Sequence, residues 1–553
     1  MQRRTPDADA HPPALSDRSP PTTDRAFLND TKGPRTMSHP QNRDADDLQA
    51  FGYRQRLSRR LGAFSAFAIS YGCVAIFAGA SGLFYFGYGF GGPAFAWSYP
   101  IVGVLTILVG LCLAEAAGHI PLTGSLYQWS RHLSSSKFLP WMAGWLFIAT
   151  QMIVPSVIGP TLQVVLTPVS DFFQFVGDGS AVGTATTKDG AINAVILGCA
   201  ALAIITFINI VGVKWTGRAT EIAVIIELVA TVVVIVGLAT HARRGPDVVF
   251  QTNGTGAGHG TGYFGAMLVA SLSAAYVFYA FESAATLAEE TTNPRRFGPR
   301  AMMRALLLSI LVISLLVLVA LMATKNLAAE ELSTSGLPYI VKSTLGSTFG
   351  DILLVCVAIA VIGAIVAAQA TAVRVVFSMA RDHQLPLSRQ LSSISTRWNT
   401  PVIPTLLVAV VATSLLLLNY GNSRIFSTIT GVVIVLYYIC YLLVIGPMLI
   451  ARLRGTWPPK DDQAGFSLGR WGLPVNIGAV LGALLIVINI AWPRAAVYGD
   501  DHWYLQWGAF TVPGVLFLVG LAYYLLVQRR RDPGPRAEHA AQPAPTNDVQ
   551  TST

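Results

Sequence analysis

Of 553 residues, 53% are hydrophobic and 12% charged, against about 25% charged in an ordinary soluble domain. Residues 1–61 hold 19 charges and residues 528–553 hold 7, leaving 41 for the 466 residues between. Such a middle cannot cover a core with polar surface, so a string of soluble domains is excluded and most of the chain must face lipid or other helices. The formal charge of +9 raises nucleic acid as a partner, but the basic residues sit beside apolar segments, where they orient membrane helices. No nucleic acid partner is therefore expected. Cys73, Cys112, Cys199, Cys356 and Cys440 lie singly inside apolar runs, with no CxxC and no His at ligand spacing. They read as small core residues, so neither a metal nor a cofactor is expected.

Residues 1–50 are rich in Asp, Arg, Pro, Ser and Thr and contain no apolar run, which predicts a disordered tail and no cleavable signal peptide. A membrane span needs roughly 20 mostly apolar residues. Twelve stretches qualify: 62–88, 94–117, 139–166, 191–211, 217–240, 262–288, 301–324, 351–379, 402–420, 425–451, 474–493 and 508–528. Lys and Arg should gather in the cytoplasmic loops. With the N-terminus inside, those loops and the near-tail segments hold 22, and the opposite side holds seven: Lys188, Arg243, Arg244, Lys325, Lys342, Arg424 and Arg494. This predicts both termini on the cytoplasmic side of the plasma membrane (the cell inner membrane). The basic QRRRDPGPR run opens a second expected disordered tail at 529–553, with anionic lipid within its reach.

The first and sixth segments differ from the rest in their small and helix-breaking residues. The first reads FAISYGCVAIFAGASGLFYFGYGFGG, with Gly72, Gly79 and Gly82 in its middle, and the sixth reads GAMLVASLSAAYVFYAFESAATLAEE. They hold corresponding places if the chain is two five-helix repeats, about 62–240 and 262–451 within a transporter core at 51–451, with accessory helices eleven and twelve at 452–528. Gly-interrupted segments in corresponding halves point to a transporter binding site; glycines also simply let helices pack closely. If both segments unwind, freed N–H groups and positive helix ends can hold a carboxylate, and freed C=O groups an ammonium.

An ionisable group within a span costs several kcal/mol and is normally kept for a substrate, an ion or a proton. Glu282 in the sixth segment is the clearest case, serving either a proton-coupled cycle or a cationic substrate. Glu227 in the fifth and Arg374 in the eighth are the others, Arg374 being placed to snorkel or to bind backbone carbonyls. Glu115 and His119 close the second segment at the interface and are gating candidates. Phe77, Tyr279 and Phe281 beside the expected breaks could close over a substrate. GTGAGHG at 254–260 does not fit GxGxxG, and the chain carries no GxxxxGK[ST], HExxH or GxSxG, so neither an ATP-driven pump nor a hydrolase has support.

Three stretches together resemble the amino acid-polyamine-organocation superfamily, within it the amino acid/choline permeases. LCLAEAAGHIPLTGSLYQWS looks like the signature after that family's second helix, with Ser125 where many members carry a second Gly. FYAFESAATLAEETTNPRRFGPRAM resembles the sixth helix and its following loop, and RVVFSMARDHQLP the end of the eighth. The resemblance implies an all-α membrane protein of twelve helices, a five-plus-five inverted repeat with helices 1 and 6 broken, and secondary active transport rather than catalysis. It places the unwound stretch of helix one at Phe77, Ala78 and Gly79, where many members have GSG, and that of helix six at Tyr279, Ala280, Phe281, Glu282 and Ser283. Glu282 falls where some similar antiporters use a gating carboxylate, and Glu227 where several proton-coupled relatives carry a Lys.

The expected function is a permease for amino acids or related small amines, coupled to protons or working by exchange, with sodium left open as the ion. A choline, polyamine or gamma-aminobutyrate carrier is the alternative within transport, and a permease-like receptor or channel the alternative outside it.

Overall fold

A computed structural model describes residues 44, 47–179, 182, 187–256, 262–418, 420, 425–459, 465–498 and 503–531. The expected tails at 1–50 and 529–553 fall almost entirely outside these residues, as do Lys460, Arg424 and most of GTGAGHG. The regular elements among the described residues are helical, and the one strand-like feature among them is a bridge between Leu61 and Thr291.

Among the described residues ten helices are long and apolar enough to cross a membrane, and two shorter apolar helices, Tyr263–Val277 and Val402–Leu417, complete the expected twelve. The first segment folds as α1 (Ala63–Val74) and α2 (Ile76–Gly91). Next come α3 (Ser98–His119) and an amphipathic connecting helix, α4 (Ser125–Leu133). The third segment is α5 (Phe138–Ile153) and α6 (Ile158–Leu166), interrupted where Pro155 and Pro160 deny the backbone its donors. The fourth and fifth, α7 (Lys188–Val211) and α8 (Val213–Thr240), are joined by Gly212 alone, at φ 139°. Lys214 and Arg218, expected in a loop, thus lie in the first turns of α8. The sixth segment divides into α9 (Tyr263–Val277) and the short α10 (Ser283–Thr286).

The seventh, α11 (Pro294–Ala323), starts seven residues before the apolar run because Pro294 at its first turn launches the helix through Arg295–Arg304. The eighth, α12 (Ser347–Arg381), is the longest. Then follow α13 (Val402–Leu417), α14 (Ile425–Leu453), α15 (Gly472–Ala491) and α16 (Gly508–Tyr523).

Packing follows the exchange of halves that a five-plus-five repeat requires. α3 runs along α11, α8 lies on α12 as α14 lies on α5, and α7 meets α13. α15 and α16 are attached at the side: only 17% of the last span's window is buried inside the protein, against 67% for α12. Outward residues such as Phe207, Val229 and Phe510 are more than half exposed, a large cost in water and none in hydrocarbon.

The connections predicted for the basic side do meet at one end. The Leu61 N–H donates to Glu290 O, the Tyr53 hydroxyl reaches Asp382, Thr400 Oγ1 donates to Ile210 O, and the Gln528 amide reaches His383 O. At the other end Arg243 N donates to Met322 O and Ala94 N to Gln251 O.

α12 and α8 approach closely: a Cβ added at Gly363 would lie 2.1 Å from Ala223 Cβ. No flexible side chain can yield there, so Gly363→Val forces the two helices apart. The expected cost is about 1–3 kcal/mol, read as a lowered unfolding temperature of the detergent-purified protein.

Candidate functional site

The first break is at Ala75, which takes a left-handed conformation (φ 47°, ψ 62°) between α1 and α2. Alanine in that region costs roughly 1–2 kcal/mol. The unwinding is shorter and two residues earlier than Phe77–Gly79, which lie in the opening turn of α2; there Gly79 N already donates to Ala75 O at 2.8 Å, while the N–H groups before it have no partner within the helix. One of these donors is taken: Phe77 N–H donates to Glu227 Oε1 of α8 at 2.9 Å. Ala78 belongs to this turn, and its side chain lies outside the described residues. Gly72 and Gly79 serve close packing instead, whereas a Cβ at Gly82 would meet nothing within 4 Å. A Cβ at Gly72 would meet Val224 at 3.1 Å and Thr220 at 3.3 Å, and one at Gly79 would meet Val277 at 2.9 Å.

The second break spans Phe278–Glu282, with Ala280 at φ 62°. Its freed groups find side chains from two other helices. Ser70 of α1 donates its hydroxyl to Phe281 O at 2.6 Å and accepts from Ala284 N at 3.1 Å. The Tyr441 hydroxyl of α14 accepts from Ala280 N at 3.0 Å, and the Tyr438 hydroxyl donates to Phe278 O at 3.2 Å. Ser283 Oγ closes a local turn onto Ala280 O at 2.7 Å. Glu282 has no exposed surface. Its Oε2 accepts the Tyr441 hydroxyl at 2.6 Å, while Oε1 has no hydrogen bond from another residue.

The tyrosines of α14 are the part that sequence reading missed. Tyr437 stacks on Tyr279 with ring centroids 4.6 Å apart, and Tyr441 lies 5.6 Å from Phe281. Tyr437 donates to Gln151 Oε1 of α5 at 2.5 Å, and Gln151 Nε2 is buried without a partner. The signal was available: hydroxyl-bearing residues at 437, 438 and 441 within VVIVLYYICYLLV share a helix face at spacings of about four.

The remaining candidates are gathered elsewhere. Glu115 is held by the Arg452 guanidinium, by Trp457 Nε1 at 3.0 Å and by Leu468 N at 2.9 Å. The His119 ring lies edge-on to Trp457 at 4.8 Å. Arg374 reaches one carbonyl, Ala370 O, at 3.4 Å, but its main partner is Glu290, at 3.0 and 3.2 Å. It does not snorkel, because a buried carboxylate meets it where it stands. Arg381 pairs with Glu289 at 2.8 Å and lies 4.1 Å over the Tyr53 ring. Asp382 collects Arg131, Tyr53, Tyr127 and Gln128. Burial, followed by the neighbouring Asp382 carboxylate, pushes the Tyr53 phenol well above its ordinary value, so it remains a donor.

Two helix breaks lie among packed membrane-spanning helices, and ion pairs join α12, α4 and the segment after α10 at one end; this is the architecture of a membrane transporter. A profile of the amino acid permease family matches residues 61–516, and the chain belongs to that family, which is one of transporters and not of enzymes. The amino-acid permease BAT1 homolog of Oryza sativa subsp. japonica is 26% identical over 511 residues, 88% of this chain and 94% of that protein. The amino-acid permease BAT1 of Arabidopsis thaliana is also 26% identical, over 505 residues, 88% and 95% of the two chains. The serine/threonine exchanger SteT of Bacillus subtilis is 25% identical over 399 residues, 71% and 81%.

Glu290 and Arg374 are at most 2% exposed in their side chains, so removing one partner leaves an uncompensated buried charge. Arg374→Met should lower stability by about 3–5 kcal/mol, and adding Glu290→Met should recover most of it. Thermal unfolding of the two variants beside the parent protein measures both effects.

Proposed function

We propose that this permease is a secondary carrier moving amino acids or related small amines across the plasma membrane by alternating access around the Ala75 and Ala280 breaks. The observation that carries the reading is Glu282, a fully buried carboxylate at the second break with one oxygen left open. A buried carboxylate without a cation calls for neutralisation, and a proton or a substrate can each provide it. Binding one in exchange for the other couples the two fluxes. Phe77, Ala78, Gly79 and Tyr279–Ser283 line the substrate site in this reading, and Glu227 couples by capping the first break at Phe77 N.

The ion pairs Arg381–Glu289 and Arg131–Asp382 act as the gate at the basic end, with Glu115 and Arg452 bracing it. The excess of 22 Lys and Arg over seven on the opposite side supports a cytoplasmic basic end with both termini inside. Likeness to a serine/threonine exchanger favours exchange of amino acids over uniport. One helix bundle rocks against the other around the two breaks, within the repeats at 62–240 and 262–451, with α15 and α16 outside them.

Reconstituted into vesicles, the protein should take up substrate saturably, faster when the lumen holds unlabelled substrate, and with a rate that follows the imposed pH gradient and ignores replacement of sodium by potassium. Glu282→Gln should abolish the response to the pH gradient. An E282Q protein that accumulates substrate with unchanged pH dependence would remove the proton role.

A further inference from the structure

Charge decides what a closed, dry site can hold. Glu282 and Glu227 are at most 1% exposed, and neither forms an ion pair among the described residues. Among the described residues the hydrogen bonds to these two carboxylates come from Phe77 N and the Tyr441 hydroxyl, and the Tyr437, Tyr438 and Phe281 rings pack on Tyr441. The N-terminus of α2, which the sequence suggested for a substrate carboxylate, already has a carboxylate of the chain itself on Phe77 N. Two acidic groups with no ion-pair partner are a poor host for a further negative end: a zwitterion bound at Glu282 adds a second carboxylate beside it, whereas an ammonium without a carboxylate balances the Glu282 charge.

The unsatisfied atoms suit the second case. Glu282 Oε1 is buried and open, beside the aromatic rings of Tyr441, Phe281, Tyr437 and Tyr279. Aromatic faces attract an ammonium by their quadrupole, and most strongly when water is excluded. Behind Tyr437, the open amide N–H of Gln151 offers one neutral donor, matched to a hydroxyl or carbonyl of the ligand.

We propose that the group anchored between the breaks is an ammonium received by Glu282 Oε1 within this tyrosine box, and that the preferred substrates are small organic cations of net positive charge with a neutral acceptor tail. The proposal rests on the breaks being the substrate site and narrows the substrate class within that reading.

Amino acids and their amino alcohols differ only in carboxylate against hydroxymethyl, so alanine with alaninol, leucine with leucinol and phenylalanine with phenylalaninol are the probes. Thermal shift of the purified full-length protein should give at least one amino alcohol a tenfold or greater advantage in Kd over its amino acid. Glu282→Gln should erase that advantage. Tyr279→Leu, which leaves the carboxylate in place, should weaken amino alcohol binding severalfold, and it keeps the proposal testable should E282Q fail to fold.

Amino acids binding as tightly as their alcohols, or no alcohol binding at all, overturns the charge assignment. Counterflow in vesicles separates the two readings: exchange of leucine but not leucinol sinks the cation preference and leaves transport standing. Leucinol binding without counterflow of any probe sinks transport and leaves the cation site.

Discussion

Hydrocarbon has no hydrogen bonds to lend, so every backbone group that leaves a helical ladder within a span must find a partner inside the protein. The two helix breaks release such groups at Phe77, Phe278, Ala280, Phe281 and Ala284, and the answering side chains are Glu227, Tyr438, Tyr441 and Ser70. That one requirement fixes which faces of α8 and α14 turn inward and which residues surround the site. It also accounts for the strain: Ala75 and Ala280 hold left-handed conformations because the surrounding bonds over-determine them.

In the proposed reading the same partners are the polar groups of the site, so that holding the breaks open and recognising a substrate would be tasks of one set of atoms. Tyr441 accepts from Ala280 N and donates to Glu282, which orients the carboxylate with one oxygen engaged and one open. Glu227 is spent on the backbone of α2 in the same way. A chemistry based on ammonium at Glu282 follows from this division of labour, whereas a free anion site at α2 would have required Glu227 to be elsewhere.

Much of the fold was legible because hydropathy and loop charge obey strong, local rules: the twelve apolar segments, the shared end for the basic loops and the special character of segments one and six all appear in the structure. The second break, expected at Tyr279–Ser283 from the family resemblance, falls at Phe278–Glu282. The position of the first was not legible: glycine drew attention to residues 72 and 79, but Ala75 unwinds, and alanine is the best intrinsic helix former; only tertiary bonds override it. Glu282 and Glu227 stood out as charges among apolar residues. Tyr437, Tyr438 and Tyr441 did not, since hydropathy treats a tyrosine in a span as bulk. Arg374 was visible as a charge, but Glu290, its partner 84 residues away, lay in a run that read as loop, and pairings at that range are a matter of topology.

The Ser70 hydroxyl has a mechanical meaning beyond its two hydrogen bonds. It ties α1 to α10, and the Leu61–Thr291 bridge with Arg60 N and Leu61 N on Glu290 O ties the same two pieces again where α1 begins. Fastened at both ends, the two short helices form a single leaf. Any swing of that leaf strips the Arg374 and Arg381 pairs together, so the basic end of the carrier should open in one step, as a door with two bolts on one bar.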